Sequence, residues 1–307
     1  MSQDQKQGRV AVITGASSGI GAATARSLHA AGYRVALLAR RTDRIKALAD
    51  ELGDGAIAIS ADVTDRGALV AAAEQVKQEF GGTDVLVNNA GVMLLGPFSA
   101  ERRDDYRKMI EVNLLGAITA TEVFLDQLKD GVGDLVNVSS VAGRVANVGS
   151  GVYAATKFGI NGWSESLRKE LLPDVRVTVI EPGVVATELP THITHEATRQ
   201  GAQQLYDVAE VTAEDVAEVI TFVLQRPGTW PSTRSCSDLP ARHSDLITSR
   251  ARAASAPARN EGTPLRHRRR PRRGSPWGFP VRVARAQPTR TRCSANRHRP
   301  ANEQDFS

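Results

Sequence analysis

The sequence predicts an open, doubly wound α/β fold, a single Rossmann-like parallel sheet with helices on both faces, and three observations carry that prediction. Six short apolar runs recur between residues 9 and 181, each run is continuously apolar rather than alternating, and helical patterns separate them. Continuous apolar runs suit parallel strands covered on both faces. Repeated β–α units build an open sheet, and right-handed crossovers bring the strand C-termini to one edge, where ligands bind.

The strands are expected at RVAVIT (9–14), RVALLA (34–39), AIAIS (56–60), DVLVN (84–88), DLVNVS (134–139) and RVTVIE (176–181). Between them, Ile20 to Ala31 and Arg66 to Phe80 carry apolar residues at three- and four-residue spacing, the period of an amphipathic helix. The last helix opens with TAED, where Thr212 as N-cap and Asp215 three residues on form a capping box. Val216, Ile220, Val223 and Leu224 then make its buried stripe.

TGASSGIG (14–21) follows the first strand and opens the first helix. Its glycines, Gly15, Gly19 and Gly21, let the backbone turn sharply and approach a pyrophosphate. The helix N-terminus, with Ser17, Ser18 and Ile20, supplies free N–H groups. At the end of strand two, a dinucleotide site for NAD carries an acid that bonds the ribose 2′-hydroxyl. Here that position is Ala39, followed by Arg40 and Arg41. Two guanidiniums and no carboxylate favour NADP(H), with solvated loop charges as the alternative. Asp62, in ADVTD after strand three, either accepts from the adenine amino group or caps the helix starting near Asp65.

GVYAATKFG (151–159) puts Tyr153 and Lys157 one helical turn apart. Reducing a carbonyl with hydride needs a proton donor at the developing alkoxide. A free tyrosine, with a pKa of about 10, is poorly matched to neutral pH, and a nearby lysine cation favours the phenolate. Tyr153 is therefore the expected general acid in reduction and base in oxidation, tuned by Lys157. Ser140, at the end of strand five, is placed to hydrogen-bond the substrate oxygen.

TGASSGIG (14–21), NNAG (88–91), VNLLG (112–116), NVSSVAG (137–143) and YAATK (153–157), in that order, resemble the short-chain dehydrogenase/reductase family over about residues 8 to 228. The family places its catalytic serine thirteen residues before the tyrosine, which selects Ser140 over Ser139, and its helix asparagine matches Asn113. By resemblance, Asn113 holds a water connecting Lys157 to solvent, and Lys157 also holds the nicotinamide ribose. Asp62 and Val63 would meet the adenine. Asn89, Ala90 and Gly91, after Asn88, support the sheet edge beside the cofactor. EPGVVATEL (181–189) resembles the loop covering the nicotinamide, so Pro182, Gly183, Val185 and Thr187 join the cofactor site. The resemblance leans toward bacterial NADP-dependent enzymes acting on small 3-hydroxy acids, serine-like compounds or aldehydes, and it implies a dimer or tetramer. The substrate pocket is expected from Met93 and Leu94, Val141 to Val148, and Pro190 to Tyr206. Arg144 is either a partner for a substrate carboxylate or a solvated loop charge.

Charge divides the chain. From Gly228 onward stand 17 Arg and 5 acids, a net of +12, and the rest carries −7. Both cysteines, Cys236 and Cys293, lie in that basic stretch, so residues 1–228 hold no disulfide framework or thiolate metal site, and no metal is expected. The N-terminus lacks a signal-peptide core and no run reaches the length of a membrane span. A cytoplasmic protein with no membrane partner follows.

Residues 1–228 are thus read as the NADP-binding catalytic domain, and 229–307 as an Arg/Pro-rich tail lacking an apolar repeat. Clustered arginines also suit nucleic acid, but no recognition motif accompanies them. Back-translated with allowed synonyms and shifted by one base, TWPSTRSCSDLP (229–240) reads Val-Ala-Val-Asn-Glu-Ile-Leu-Leu-Arg-Pro. That is an alternating β-branched strand of the kind expected at the sheet's last edge. The reading is that a frameshift replaced it, which would leave strand six as an exposed edge. The rival classes are a dinucleotide-sensing regulator without turnover and a nucleic-acid binder acting through the tail.

Overall fold

The computed structural model describes residues 8–226, and the residues read as a tail, with the strand expected to be replaced there, lie outside them. The sheet has six parallel strands, β1 (Val10–Thr14), β2 (Arg34–Ala39), β3 (Ala56–Ser60), β4 (Val85–Asn88), β5 (Gly133–Val138) and β6 (Val175–Ile180). Each lies within one residue of the expected run. Their order across the sheet is β3-β2-β1-β4-β5-β6, so the chain reverses direction of winding between β1 and β4. That is the topological switch point of a doubly wound sheet, where a crevice opens beyond the strand ends.

Burial on both faces explains the apolar runs. Ala11 and Ile13 of β1, with Val35 and Leu37 of β2, pack on one face against α1 (Gly19–Ala30), α2 (Thr42–Leu52) and α8 (Ala213–Leu224). Val10, Val12, Ala36 and Leu38 point the other way, against α3 (Arg66–Phe80) and α5 (Gly116–Lys129). Phe124 and Leu69 anchor that second layer and are fully buried. The capping box at the start of α8 is present, with Thr212 and Asp215 exchanging side-chain-to-backbone bonds. Val216, Ile220, Val223 and Leu224 are buried beneath it.

The remaining elements surround the strand ends. α4 (Arg103–Ile110) runs through a π-turn (Glu111–Leu115) into α5, and α6 (Gly151–Glu170) follows β5. After β6, β7 (Val185–Ala186) pairs in parallel with β8 (Val211–Thr212). This small ribbon closes a loop holding a 3₁₀ turn (Leu189–His192) and α7 (Glu196–Asp207). The period-based reading did not anticipate that ribbon, because two residues show no period. Among the described residues, no helix is long and apolar enough to cross a membrane.

At the opposite, N-terminal edge of the sheet, the buried carboxylate of Asp134 accepts from Arg176 and, at 2.8 Å, from Arg9. Arg176 also reaches the carbonyls of Val223 and Arg226 at the end of α8. One carboxylate therefore fastens β5, β6, the entry to β1 and the last helix. Removing it breaks a buried ion pair with Arg176 and the pair with Arg9. Asp134→Ala is expected to lower stability by about 3–5 kcal/mol, measured by urea unfolding of the full chain.

Candidate active site

A cavity of about 690 Å³ opens at the C-terminal ends of the strands and runs across the switch point. At one end stands the glycine-rich turn. Gly15 (φ +68°) and Gly19 (φ +52°) adopt left-handed backbone, and a Cβ on Gly15 would stand 2.8 Å from the Ala90 Cα. Only glycine fits there without moving the backbone. The N-terminus of α1 has no side-chain cap and no acid in its first turn. Its N–H groups are thus available to a pyrophosphate, and the residues present fit a dinucleotide.

Gly15, Ser17, Ser18, Gly19 and Ile20 line the cavity, whereas Gly21 does not. A Cβ on Gly21 would sit 2.4 Å from the Gly15 carbonyl oxygen, so its role is close helix–strand packing. Asn89, Ala90 and Gly91 also line the cavity. The Thr14 hydroxyl accepts from the backbone N–H groups of Asn89 and Ala90, and the Asn89 amide donates to the Thr14 and Gly15 carbonyls. The loops after β1 and β4 are thereby tied together at the switch point.

Beyond β2 and β3 the wall is formed by Arg40, Arg41, Asp62 and Val63. Asp62 does not cap α3; Asp65 does, accepting from the Ala68 N–H. Asp62 instead accepts from the backbone and hydroxyl of Thr64 and lies 3.6 Å from Arg40. Burial pushes its carboxyl up, but the Thr64 bonds and Arg40 outweigh that and hold it below the usual range. Arg41 donates to Ser17 and Ser18 and pairs at 2.6 Å with Glu188, which also takes Arg44. Glu188 was not among the expected site residues, and no local sequence signal joins it to arginines more than 140 positions away.

The opposite end holds the side chains expected to do chemistry. Ser140, Tyr153 and Lys157 all line the cavity here, with the Ser140 hydroxyl near enough to act on that of Tyr153. Ser139 also lines the cavity, but its hydroxyl donates to the Lys157 carbonyl, and that bond distinguishes the two adjacent serines. Lys157 is buried, donates to the Val138 carbonyl at 2.9 Å, and lies 5.8 Å from the centre of the Tyr153 ring. Burial pushes the Tyr153 hydroxyl up, and Ser140 offsets part of that. Burial also pushes Lys157 down, to about 8.

Asn113 sits in the π-turn and does not line the cavity. Its amide accepts from the Val92 N–H and donates to the Val92 carbonyl, both at 2.8 Å, and also donates to Thr156. The side chain thus fastens the loop after β4 to α6.

Pro182, Gly183, Val185 and Thr187 line the wall after β6, and a Cβ on Gly19 would approach Thr187 to 3.1 Å. Met93, Val141, Val148, His192, Leu205 and Tyr206 line the remaining end. Leu94 is buried away from the cavity and Leu95 takes its place. Arg144 is outside the lining: the buried carboxylate of Glu181 grips it at 2.7 and 3.0 Å. Of the two sequence alternatives, the solvated loop charge fits better, since the side chain is 58% exposed, and the ion pair with Glu181 is the added feature. Among the described residues, no cluster of His, Cys, Asp and Glu could hold a metal ion.

The short chain dehydrogenase family model matches residues 9–198. An uncharacterised oxidoreductase of Staphylococcus saprophyticus is 35% identical over 224 residues, 71% of this chain and 91% of the relative. The serine 3-dehydrogenase of Agrobacterium fabrum is 37% identical over 219 residues, 70% of this chain and 88% of its own length. Among solved structures, a closed form of serine dehydrogenase complexed with NADP⁺ superposes with a TM-score of 0.68 at 31% identity, over 74% of this chain and 92% of that one. A short-chain dehydrogenase/reductase from Burkholderia phymatum in complex with NAD gives 0.67 at 26% identity, over 72% and 86%.

The folded Lys157 value lies below the unfolded 10.5. The unfolded chain therefore binds more protons there, and this residue makes stability rise with pH from about 8 to about 10.5. Lys157→Met keeps the apolar stem and removes the charge. It is expected to remove that slope and raise stability at pH 7 by up to about 3 kcal/mol, measured by urea unfolding at several pH values without added cofactor.

Proposed function

The chain belongs to the short-chain dehydrogenase family, an oxidoreductase that uses a nicotinamide dinucleotide, and from that premise we propose that it interconverts a small carbonyl compound and its alcohol with NADP(H). The catalytic unit is residues 1–228. The observation that supports the reading is that Ser140, Tyr153 and Lys157 converge on one end of a cavity whose other end carries the glycine-rich turn with Arg40 and Arg41. The turn and the loops at 89–91 and 182–187 would hold the nicotinamide dinucleotide, which would supply or take the hydride.

The protein's own residues handle the oxygen. Ser140 directs its hydroxyl at the substrate oxygen and fixes it beside Tyr153. Tyr153 gives its proton to the alkoxide that develops as the carbonyl is reduced, and takes it back in oxidation. A phenol is protonated at neutral pH in any case, and burial pushes its pKa further up, which keeps Tyr153 in the state a donor needs. Lys157, a buried cation close to the ring, stabilises the phenolate left by that transfer. Asn113 contributes by holding the Val92 segment in register with α6.

The 2′-phosphate is assigned to Arg41 with Arg40 beside it, and no carboxylate ends β2 to compete for a 2′-hydroxyl. The substrate end combines an apolar lining with Asn147, His192 and Thr198. It suits a compact carbonyl compound bearing one polar substituent. Hydroxy acids such as serine, named for the relatives, are the first class to try.

Fluorescence titration is expected to give NADPH affinity about 10- to 150-fold above NADH. Equal affinities would overturn the arginine assignment. Tyr153→Phe should retain NADPH binding while NADPH consumption with a small carbonyl panel falls about 10²- to 10⁴-fold. Turnover at the wild-type rate in that variant would overturn Tyr153 as the donor.

A further inference from the structure

The anion-binding end of the cavity already contains an anion. The Glu188 Oε1 lies 2.6 Å from the Arg41 Nη1 and accepts from the Ser18 hydroxyl at 2.7 Å, while its Oε2 takes the Arg44 Nη1 at 2.9 Å. Arg41 spends its other nitrogens inside the fold. Nε donates to Ser17 at 3.0 Å, and Nη2 donates to Ser17 and Ser18 at 2.9 and 2.6 Å. Every nitrogen of that guanidinium thus has an acceptor from the protein itself.

Glu188 stands at a junction. It follows Thr187, which packs on Gly19, and it precedes the 3₁₀ turn Leu189–His192, whose Leu189 and His192 line the substrate end. Resting on the NADP(H) reading above, we propose that Glu188 is a cofactor-specificity residue, an internal stand-in that competes with the 2′-phosphate for Arg41 and ties the 187–192 segment to it. A dianionic phosphate cannot share one Nη with a carboxylate without strong repulsion between the two anions. When the phosphate takes Arg41, Glu188 gives up that contact and keeps Arg44. A dinucleotide without the 2′-phosphate makes no such demand. The consequence is that the substrate-lining turn is re-seated by NADP(H) and left in place by NAD(H).

The proposal separates from a simpler role, in which Glu188 only orients Arg41 for the phosphate. Competition predicts tighter phosphate binding once the carboxylate is gone, and orientation predicts weaker binding. The partners are about one-third exposed, so the effect is moderate.

Calorimetric titration of the full chain and of Glu188→Gln and Glu188→Ala, with adenosine 2′,5′-bisphosphate and with 5′-AMP, tests this without turnover. The expected result is bisphosphate binding about three- to tenfold tighter in both variants, with 5′-AMP unchanged. The unchanged 5′-AMP affinity also reports that the variants are folded. In the wild type, amide hydrogen exchange over 187–192 should quicken with the bisphosphate and not with 5′-AMP. Bisphosphate binding that weakens or stays equal in the variants would overturn the proposal while leaving the NADP(H) reading intact, as would exchange that responds alike to both ligands. Equal binding of the two ligands by the wild type would instead overturn the NADP(H) reading, and this proposal with it.

Discussion

The hydroxyl of Thr14 carries the geometry of the whole cavity. It is the last residue of β1, almost fully buried, and it donates to the Val87 carbonyl while accepting from Asn89 and Ala90. A parallel sheet whose winding reverses between β1 and β4 leaves two neighbouring strands whose following loops diverge. The divergence creates a crevice, but it also leaves backbone N–H groups with no ladder partner, and buried ones must find an acceptor. Thr14 provides that acceptor, and the Asn89 amide returns bonds to the carbonyls of Thr14 and Gly15. The glycine-rich turn is thus referenced to the β4 loop. That loop is in turn clamped by Asn113, whose amide reaches Thr156 on the helix bearing Tyr153 and Lys157. A short chain of polar contacts links the glycine-rich turn to the helix bearing Tyr153 and Lys157.

Such a framework places a cation where stability would not put one. Lys157 is 6% exposed, and among the described residues its ammonium has one acceptor, a backbone carbonyl. Burying an ammonium beside a carbonyl instead of a carboxylate costs the fold, and the depressed lysine value expresses that cost. A carboxylate partner would relieve it, yet would also neutralise the field at the phenol. The same economy explains why Glu181 spends its charge on Arg144 and Asn161, away from the lining. Its bonds tie the turn after Ser140, the end of β6 and α6 together without bringing a negative charge to Tyr153.

Much of this was legible in the chain because it rests on local patterns. Strand positions follow from runs buried on both faces, and the α8 start from the spacing of Thr212 and Asp215. The glycine turn and the pairing of Tyr153 with Lys157 follow from short-range spacing. What escaped was decided by tertiary contact. ADVTD offers two aspartates for one helix cap, and only the backbone path selects Asp65. In the irregular stretch after β4 no period fixes orientation, so Leu95 rather than Leu94 meets the cavity. The tuning of Tyr153 was read from Lys157 alone, whereas in the structure burial and Ser140 set it. Glu188 and Arg44 lie 144 positions apart, and nothing in either neighbourhood announces the other.

That last pair shows why the two ends of the cavity should not be treated as separate sites. The segment after β6 begins at Pro182 and Gly183 beside the catalytic end, crosses the glycine turn at Thr187, and meets the arginines at Glu188 before turning back to line the substrate end. It is anchored by a two-residue ribbon at β7–β8 rather than by the main sheet. Few backbone bonds hold it, so ion pairs account for a large share of its position, and such pairs respond to any competing anion. A loop held this way takes its position from whatever occupies the arginines. On the proposed function, recognition of the adenosine end and the shape of the substrate end are then properties of one segment, and substituting residues in either region should be read in the other.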